Sequence, residues 1–249
     1  MRYFFRVEYD GTSFGGWQRQ PNAVSIQEKL EHAFGVALRT KIDITGAGRT
    51  DAGVHGRAQG AHFDCDQEFN LPRLELSVNA ILPHEISIYN LCPVDNVFHA
   101  RFSAVARRYK YTMCLRKMPL LYKHVWKIFT HVDWDLVMQN ATHLLGRHDF
   151  ETFCASGATS DNTICTVTGA SLDRINDCIV FTIEADRFIY KMVRSVVGTL
   201  IDIGRGKISQ SMAEVIESRD RFRAGSTAPA CGLVLDYVRY PVELLDESK

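Results

Sequence analysis

One carboxylate, Asp51, sits in the stretch Ile44-Thr-Gly-Ala-Gly-Arg-Thr-Asp-Ala-Gly-Val-His-Gly-Arg57, among four glycines and close to Arg49, His55 and Arg57. Glycine lets a backbone turn sharply or approach a ligand closely and weakens a helix interior, so the stretch reads as a shaped loop. Three chemistries compete for it. A phosphate cradle would begin like Gly46-Ala-Gly48, but the third glycine of a dinucleotide fingerprint is here Asp51 and no helix-forming run follows. A carboxylate there repels phosphate, which excludes that reading. A metal could take Asp51, His55 and His62, yet nothing else in the chain has ligand spacing and the two arginines disfavour a cation. The third chemistry is an ionised aspartate, kept ready by a cation for nucleophilic or acid-base work. Against all three stands a plain hairpin whose aspartate caps a turn, and the loop alone favours it. The rest of the chain decides.

The chain has 249 residues, 46% of them hydrophobic, enough for one large domain or two small ones with a substantial core. Its longest apolar runs fall far short of a bilayer span, and Met1-Arg-Tyr-Phe-Phe-Arg-Val-Glu-Tyr9 enters strand-like sequence without a signal peptide. A cytoplasmic protein with no membrane segment is expected. The seven cysteines are scattered, odd in number and lack a Cys-x-x-Cys pair, against a disulfide framework or structural zinc. Lys plus Arg and Asp plus Glu both number 29, so global charge names no partner. Local charge does. From Asn96 to Val132 there is no acidic residue, while eight Lys and Arg alternate with Phe98, Phe102, Tyr109, Tyr111, Tyr122 and Trp126. Cations for phosphates beside rings for bases suit RNA; a strand pair with one basic solvated face and one aromatic core face is an equal reading of composition alone.

The elements follow from periodicity. Arg2 to Tyr9 alternates as a strand and ends at Asp10-Gly11. Ser25 and Glu28 form a capping box opening an amphipathic helix to Leu38, and Ile42–Thr45 and Gln59–Phe63 read as strands flanking the glycine-rich loop. A helix over Leu71–Leu82 and a strand over Ile86–Val94 complete the order strand, helix, strand, strand, helix, strand of a ferredoxin-like unit. A second run starts at Arg107–Met113, with a helix over Asp133–Leu145 and strands over Phe150–Ala155, Cys165–Arg174 and Cys178–Glu184. Ser156–Thr163 reads as a mobile loop. A long helix over Phe188–Ile203, a short one over Ser211–Ser218 and a strand over Leu233–Tyr237 follow. The expected organisation is an N-terminal half over residues 1–105 carrying the aspartate loop, a C-terminal half over 106–241, and a loose acidic tail over 242–249.

Six blocks, in order, resemble the tRNA pseudouridine synthase A family. They are Tyr9-Asp-Gly-Thr-Ser-Phe-Gly-Gly-Trp-Gln-Arg-Gln20, Gly46-Ala-Gly-Arg-Thr-Asp-Ala-Gly-Val-His-Gly56, Phe98-His-Ala-Arg-Phe-Ser-Ala104, Arg107-Arg-Tyr-Lys-Tyr111, Phe188-Ile-Tyr-Lys-Met-Val-Arg-Ser-Val-Val-Gly-Thr199 and Ala228-Pro-Ala-Cys-Gly-Leu-Val234. The resemblance implies an α+β fold of two ferredoxin-like (RRM-like) halves whose antiparallel or mixed sheets join. It places helices on one face and an active-site cleft between the halves, in a homodimer that binds tRNA. It also implies isomerisation of uridine to pseudouridine at positions 38, 39 and 40 of the anticodon stem-loop, with no cofactor. It carries the catalytic aspartate onto Asp51, the active-site tyrosine onto Tyr109 and the arginine paired with the aspartate onto Arg194. Arg49, His55, Arg57, His99, Arg101, Arg107, Arg108 and Lys110 are then candidates to hold RNA, largely at phosphates; for His55 a hydrogen bond within the loop is the competing role. The chemistry agrees, because exchanging a C–N for a C–C glycosidic bond involves no net redox change. A lone buried carboxylate would take up a proton, so a guanidinium, which stays charged at working pH, must hold it ionised. A non-catalytic RNA-binding protein using the same basic, aromatic residues is the alternative class. Two departures stand out: Cys165 occupies a place where the family commonly has arginine, and Asp186-Arg187 replaces a common Asn-Gly.

Overall fold

A computed structural model describes residues 1–154 and 162–245. The chain is α+β, with contacts that cluster into two compact units, Met1–Ala106 with Val234–Lys249, and Arg107–Leu233. Most of the loop expected at Ser156–Thr163, and residues 246–249 of the expected tail, lie outside the described residues.

The first unit is built on strand β1 (Arg2–Tyr9), helix α1 (Ile26–Leu38), strands β2 (Thr45–Gly46) and β3 (His55–Asp64), helix α2 (Leu71–Ile81) and strand β4 (Ile86–Val94). β1 lies between β4 and β3, antiparallel to both, and β2 pairs antiparallel with the far edge of β3 at Ala61 and His62. The last strand, β10 (Leu233–Arg239), runs parallel to the start of β3 through Val234↔His55 and Leu235↔Gly56. Alternation along β1 turns Tyr3, Phe5, Val7 and Tyr9 into a core with Ile26, Leu30, Phe34, Leu74 and Val78 of α1 and α2. Phe4 and Arg6 face the other way. There Phe4 packs edge-on against Phe98 and Tyr240, while the buried Arg6 donates to the carbonyls of Ala58 at 3.2 Å and Val238 at 2.8 Å and lies 4.6 Å over the ring of Tyr237. A guanidinium thus ties β1, β3 and β10 together from the face of β1 that also carries Arg2 and Glu8.

The same face holds His62, whose Nδ1 accepts from the Ala100 N–H at 3.1 Å and whose ring lies 4.9 Å from that of His99. Burial, then the charges of Arg2 and His99 against the opposing Asp64, push its pKa down from 6.5 to about 4. The unfolded chain therefore binds the extra proton first as pH falls, so this site favours folding above about pH 6.5 and withdraws that support between 6.5 and about 4. The midpoint of urea unfolding should fall over that window, and His62→Gln should flatten the fall.

The second unit comprises β5 (Ala106–Cys114), β6 (Trp126–Lys127), α3 (Trp134–Thr142), β7 (Gly146–Asp149), β8 (Ile164–Ile175), β9 (Cys178–Ala185), α4 (Met192–Gly204) and α5 (Met212–Ser218). Its strands run β5-β9-β8-β7, each antiparallel to the next, with β6 parallel to β5 at Met113 and Cys114. Asp133 caps α3 by accepting from the Leu136 N–H, and Ser211 with Glu214 forms a full capping box on α5. Helices α3 and α4 meet closely enough that a Cβ on Gly204 would lie 2.5 Å from Val137 Cγ2.

Three expected boundaries are corrected. The strand expected over Phe150–Ala155 is a 3-10 turn at Glu151–Phe153, because Phe150 and Phe153, both fully buried with rings 6.1 Å apart, share one side at a spacing of three. The strand is instead β7, which starts at Gly146 with φ at +101°. Helix α4 begins at Met192 rather than Phe188, since Lys191 lies in the left-handed region at φ 60° and Phe188 is drawn aside onto Tyr109. Finally, β3 starts at His55, so the end of the glycine-rich stretch is strand.

Candidate active site

Asp51 opens a tight turn closed by the Val54 N–H donating to its carbonyl at 3.1 Å, with Gly53 third at φ +77°, a conformation that favours glycine. Two layers of the first unit press on this turn. The Trp17 N–H donates to the Thr50 carbonyl at 3.1 Å, and the hydroxyls of Tyr9 and Thr50 meet at 2.8 Å. Side chains are excluded at the contacts: a Cβ on Gly11 would lie 2.0 Å from the Val54 carbonyl oxygen, and one on Gly16 2.5 Å from that of Thr50. A Cβ on Gly46 would meet the Trp17 indole at 2.5 Å, and one on Gly56 the Tyr9 ring at 2.4 Å. The two glycine-rich motifs of the sequence are therefore the two sides of one packed loop, and Asp51 stands half-buried on it.

His55 is buried, with Nδ1 3.1 Å from both the Gly11 amide nitrogen and Asp10 Oδ1. It fastens the turn after β1 to the start of β3. Arg49 and Arg57 are exposed on either side of the Asp51 turn, and Arg57 Nη1 reaches to 3.8 Å from the buried Asp236. His99 is half-buried, its Nδ1 accepting from the Arg101 N–H at 3.2 Å, while the exposed Arg101 guanidinium lies 5.5 Å over the Phe102 ring. Burial, with the charges of Arg2 and Arg101, lowers the pKa of His99.

In the second unit, alternation along β5 sends Arg107, Tyr109 and Tyr111 to one face and Arg108 and Lys110 to the other. Tyr109, half-buried, stands edge-on to Phe188 with centroids 5.1 Å apart, so a neighbouring ring sets its orientation. Arg107 donates to the Asp186 carbonyl at 2.7 Å. Asp186 also accepts from the Thr166 and Arg187 amides at 2.8 and 2.7 Å, which gives the departure at Asp186-Arg187 a turn-closing role. Cys165, the other departure, is fully buried, and that burial pushes its thiol up to about 11.

Arg194 lies on the first turn of α4. Its Nε donates to the Ala228 carbonyl at 2.8 Å, and the Ala228 N–H donates back to the Arg194 carbonyl at 3.0 Å. The 225–228 segment is held along the whole helix: the Gly225 N–H donates to Thr199 Oγ1 at 2.9 Å, and the amide and hydroxyl of Ser226 donate to Asp202 Oδ2 at 3.1 Å. At Gly198 the helix touches that segment so closely that a Cβ would lie 1.6 Å from the Ser226 carbonyl oxygen. The guanidinium is thus aimed by a clamp joining two motifs that lie 34 residues apart. Tyr111, named in the sequence only as one ring of the basic, aromatic stretch, is fully buried and donates to the Pro229 carbonyl at 2.7 Å beside that clamp. Burial raises its pKa and the charge of Arg194 opposes the rise. Its place two residues beyond Tyr109 on an alternating strand was the available signal.

The carboxylate on the glycine turn belongs to the first unit, and the oriented guanidinium and ring-braced tyrosine to the second, each held by contacts within its own unit. A family model described as tRNA pseudouridine synthase matches residues 141–241. A tRNA pseudouridine synthase A of Bacteroides fragilis is 40% identical over 249 residues, covering 99% of each chain. Those of Parabacteroides distasonis and Thermoanaerobacter pseudethanolicus are 39% and 40% identical, covering 98% and 94% of this chain and 97% of each relative. The chain belongs to the tRNA pseudouridine synthase A family. Among the described residues, no helix is long and apolar enough to cross a membrane.

Proposed function

We infer that this chain isomerises uridine to pseudouridine in the anticodon stem-loop of tRNA, at positions 38, 39 and 40, with Asp51 as the nucleophile. The observation that carries this reading is the Asp51 turn itself: glycine contacts and the Tyr9–Thr50 hydroxyl pair hold a half-buried carboxylate where a mere turn cap would need none of them. The reaction breaks N1–C1′, forms C5–C1′, moves the C5 proton off the ring and returns one to N1. Asp51 attacks carbon at C1′ or C6, and Arg194 serves as its counter-charge, since a guanidinium keeps its proton at any working pH. The target base must first leave its stack, at a cost of a few kcal/mol, and stacking on Tyr109 offsets about 1–3 kcal/mol of that. Arg49, Arg57, Arg101, Arg107, Arg108 and Lys110, with His99, fix the register of the RNA backbone, while the buried His55 takes the competing role of holding the loop. The two halves, 1–105 and 106–241, are read as ferredoxin-like: the β4-β1-β3-β2 order of the first supports this. The active form is a cytoplasmic homodimer. Incubating the purified protein with an unmodified tRNA transcript, with no cofactor added, should yield pseudouridine at those positions; tRNA that is bound but left unmodified would contradict the reading.

A further inference from the structure

We propose that Gln59 is a positioning residue for Asp51, an inference that rests on reading Asp51 as the nucleophile. Gln59 lies on β3 on the same face as the core residues Ala61 and Phe63, and its side chain is fully buried. There it does not pack as an apolar residue would: Nε2 donates to the Gly48 carbonyl at 2.8 Å, and the buried Oε1 has no hydrogen-bond partner among the described residues. A carbonyl oxygen only accepts, so the amide orientation is fixed, and Gln59 buries an unsatisfied acceptor in order to keep one donor on Gly48. That is a poor arrangement for stability alone, where a hydrocarbon side chain of similar volume would serve.

The loop explains it. On one side the Ala47 N–H is anchored to the Gly60 carbonyl at 2.8 Å, and on the other Thr50 is anchored to Trp17 and Tyr9. Between them Gly48 faces open space on its Cβ side, where among the described residues nothing lies within 4 Å of an added Cβ. The Gln59 amide supplies the restraint three residues before Asp51, and a backbone released at Gly48 moves the carboxylate by fractions of an ångström. Displacements of that size matter to an attack on carbon far more than to RNA affinity.

The test uses Gln59→Met, which keeps length and packing without the donor, and Gln59→Glu, which donates only while protonated, with Asp51→Asn alongside. Single-turnover and steady-state rates on an unmodified tRNA transcript should show kcat of Gln59→Met lowered by roughly tenfold to a hundredfold with KM little changed. Burial raises a carboxyl pKa, so Gln59→Glu should work at low pH and lose kcat as pH rises, over a range where the wild type does not. Near-UV circular dichroism, unchanged across that range, separates this loss from unfolding and keeps the pH arm decisive if Gln59→Met fails to fold. Wild-type kcat in Gln59→Met, a wild-type profile in Gln59→Glu, or a loss that tracks the dichroism overturns the inference. An inactive Asp51→Asn beside a fully active Gln59→Met removes the inference alone; an active Asp51→Asn removes the reading of Asp51 and the inference with it.

Discussion

Asp51→Asn is expected to lower pseudouridine formation by at least about 10⁴-fold, the scale on which loss of a nucleophile or its base is felt in enzymes whose groups act as a unit. The substitution is nearly isosteric and leaves the turn intact, because the bond that closes it joins the backbones of Asp51 and Val54. Gly53, which supplies the positive φ, and the Thr50 anchors are untouched. What is lost is a full negative charge able to form a bond to carbon. The affinity for tRNA should stay near the wild-type value, since phosphates are held by cations and removing one acidic group weakens none of those contacts. Melting of the variant and of the wild type should coincide within a few degrees.

Arg194→Ala carries the second largest expected effect, about 10²–10³-fold in the single-turnover rate, the cost typical of removing one preorganised charged partner. Its structural share is small. The Nε bond to the Ala228 carbonyl contributes roughly 1 kcal/mol, and the clamp between α4 and the 225–228 segment keeps its bonds at Thr199 and Asp202. Arg194→Lys separates charge from aim: lysine keeps the cation but cannot hold the Ala228 carbonyl and a carboxylate in one planar fork. Its rate should fall between those of the wild type and Arg194→Ala. Equal rates for Arg194→Ala and wild type would remove the arginine from the chemistry.

The family was legible because it rests on local pattern. The glycines of the two motifs announce close contacts, and four of them prove to face the other motif: Gly11 and Gly16 meet the Asp51 turn, while Gly46 and Gly56 meet Trp17 and Tyr9. The partners themselves were not legible. Thr50 bonding to Tyr9, and Gln59 bonding to Gly48, depend on which strand lies beside which, and nothing in their spacing reports it. The burial of Arg6 was illegible for a related reason: nothing in its spacing reports that Tyr237 and Tyr240, from the other end of the chain, cover it. Periodicity also overran α4, because Phe188 and Ile189 continue the helical pattern while Lys191 breaks the backbone. The basic, aromatic stretch also spends some of its charge internally. Lys127 lies 4.3 Å over Phe129 and Lys123 5.7 Å over Tyr122, so some of its cations already sit on rings of the same chain.

The measurement that bears most directly on Asp51 as nucleophile is pseudouridine at positions 38, 39 and 40 of one unmodified tRNA transcript, mapped after a single turnover with saturating Asp51→Asn protein and with retained tRNA confirmed in the same sample. Wild-type protein should convert its target uridines, and the Asp51→Asn complex should leave them as uridine while holding the tRNA. Conversion by Asp51→Asn at the wild-type rate would contradict the account.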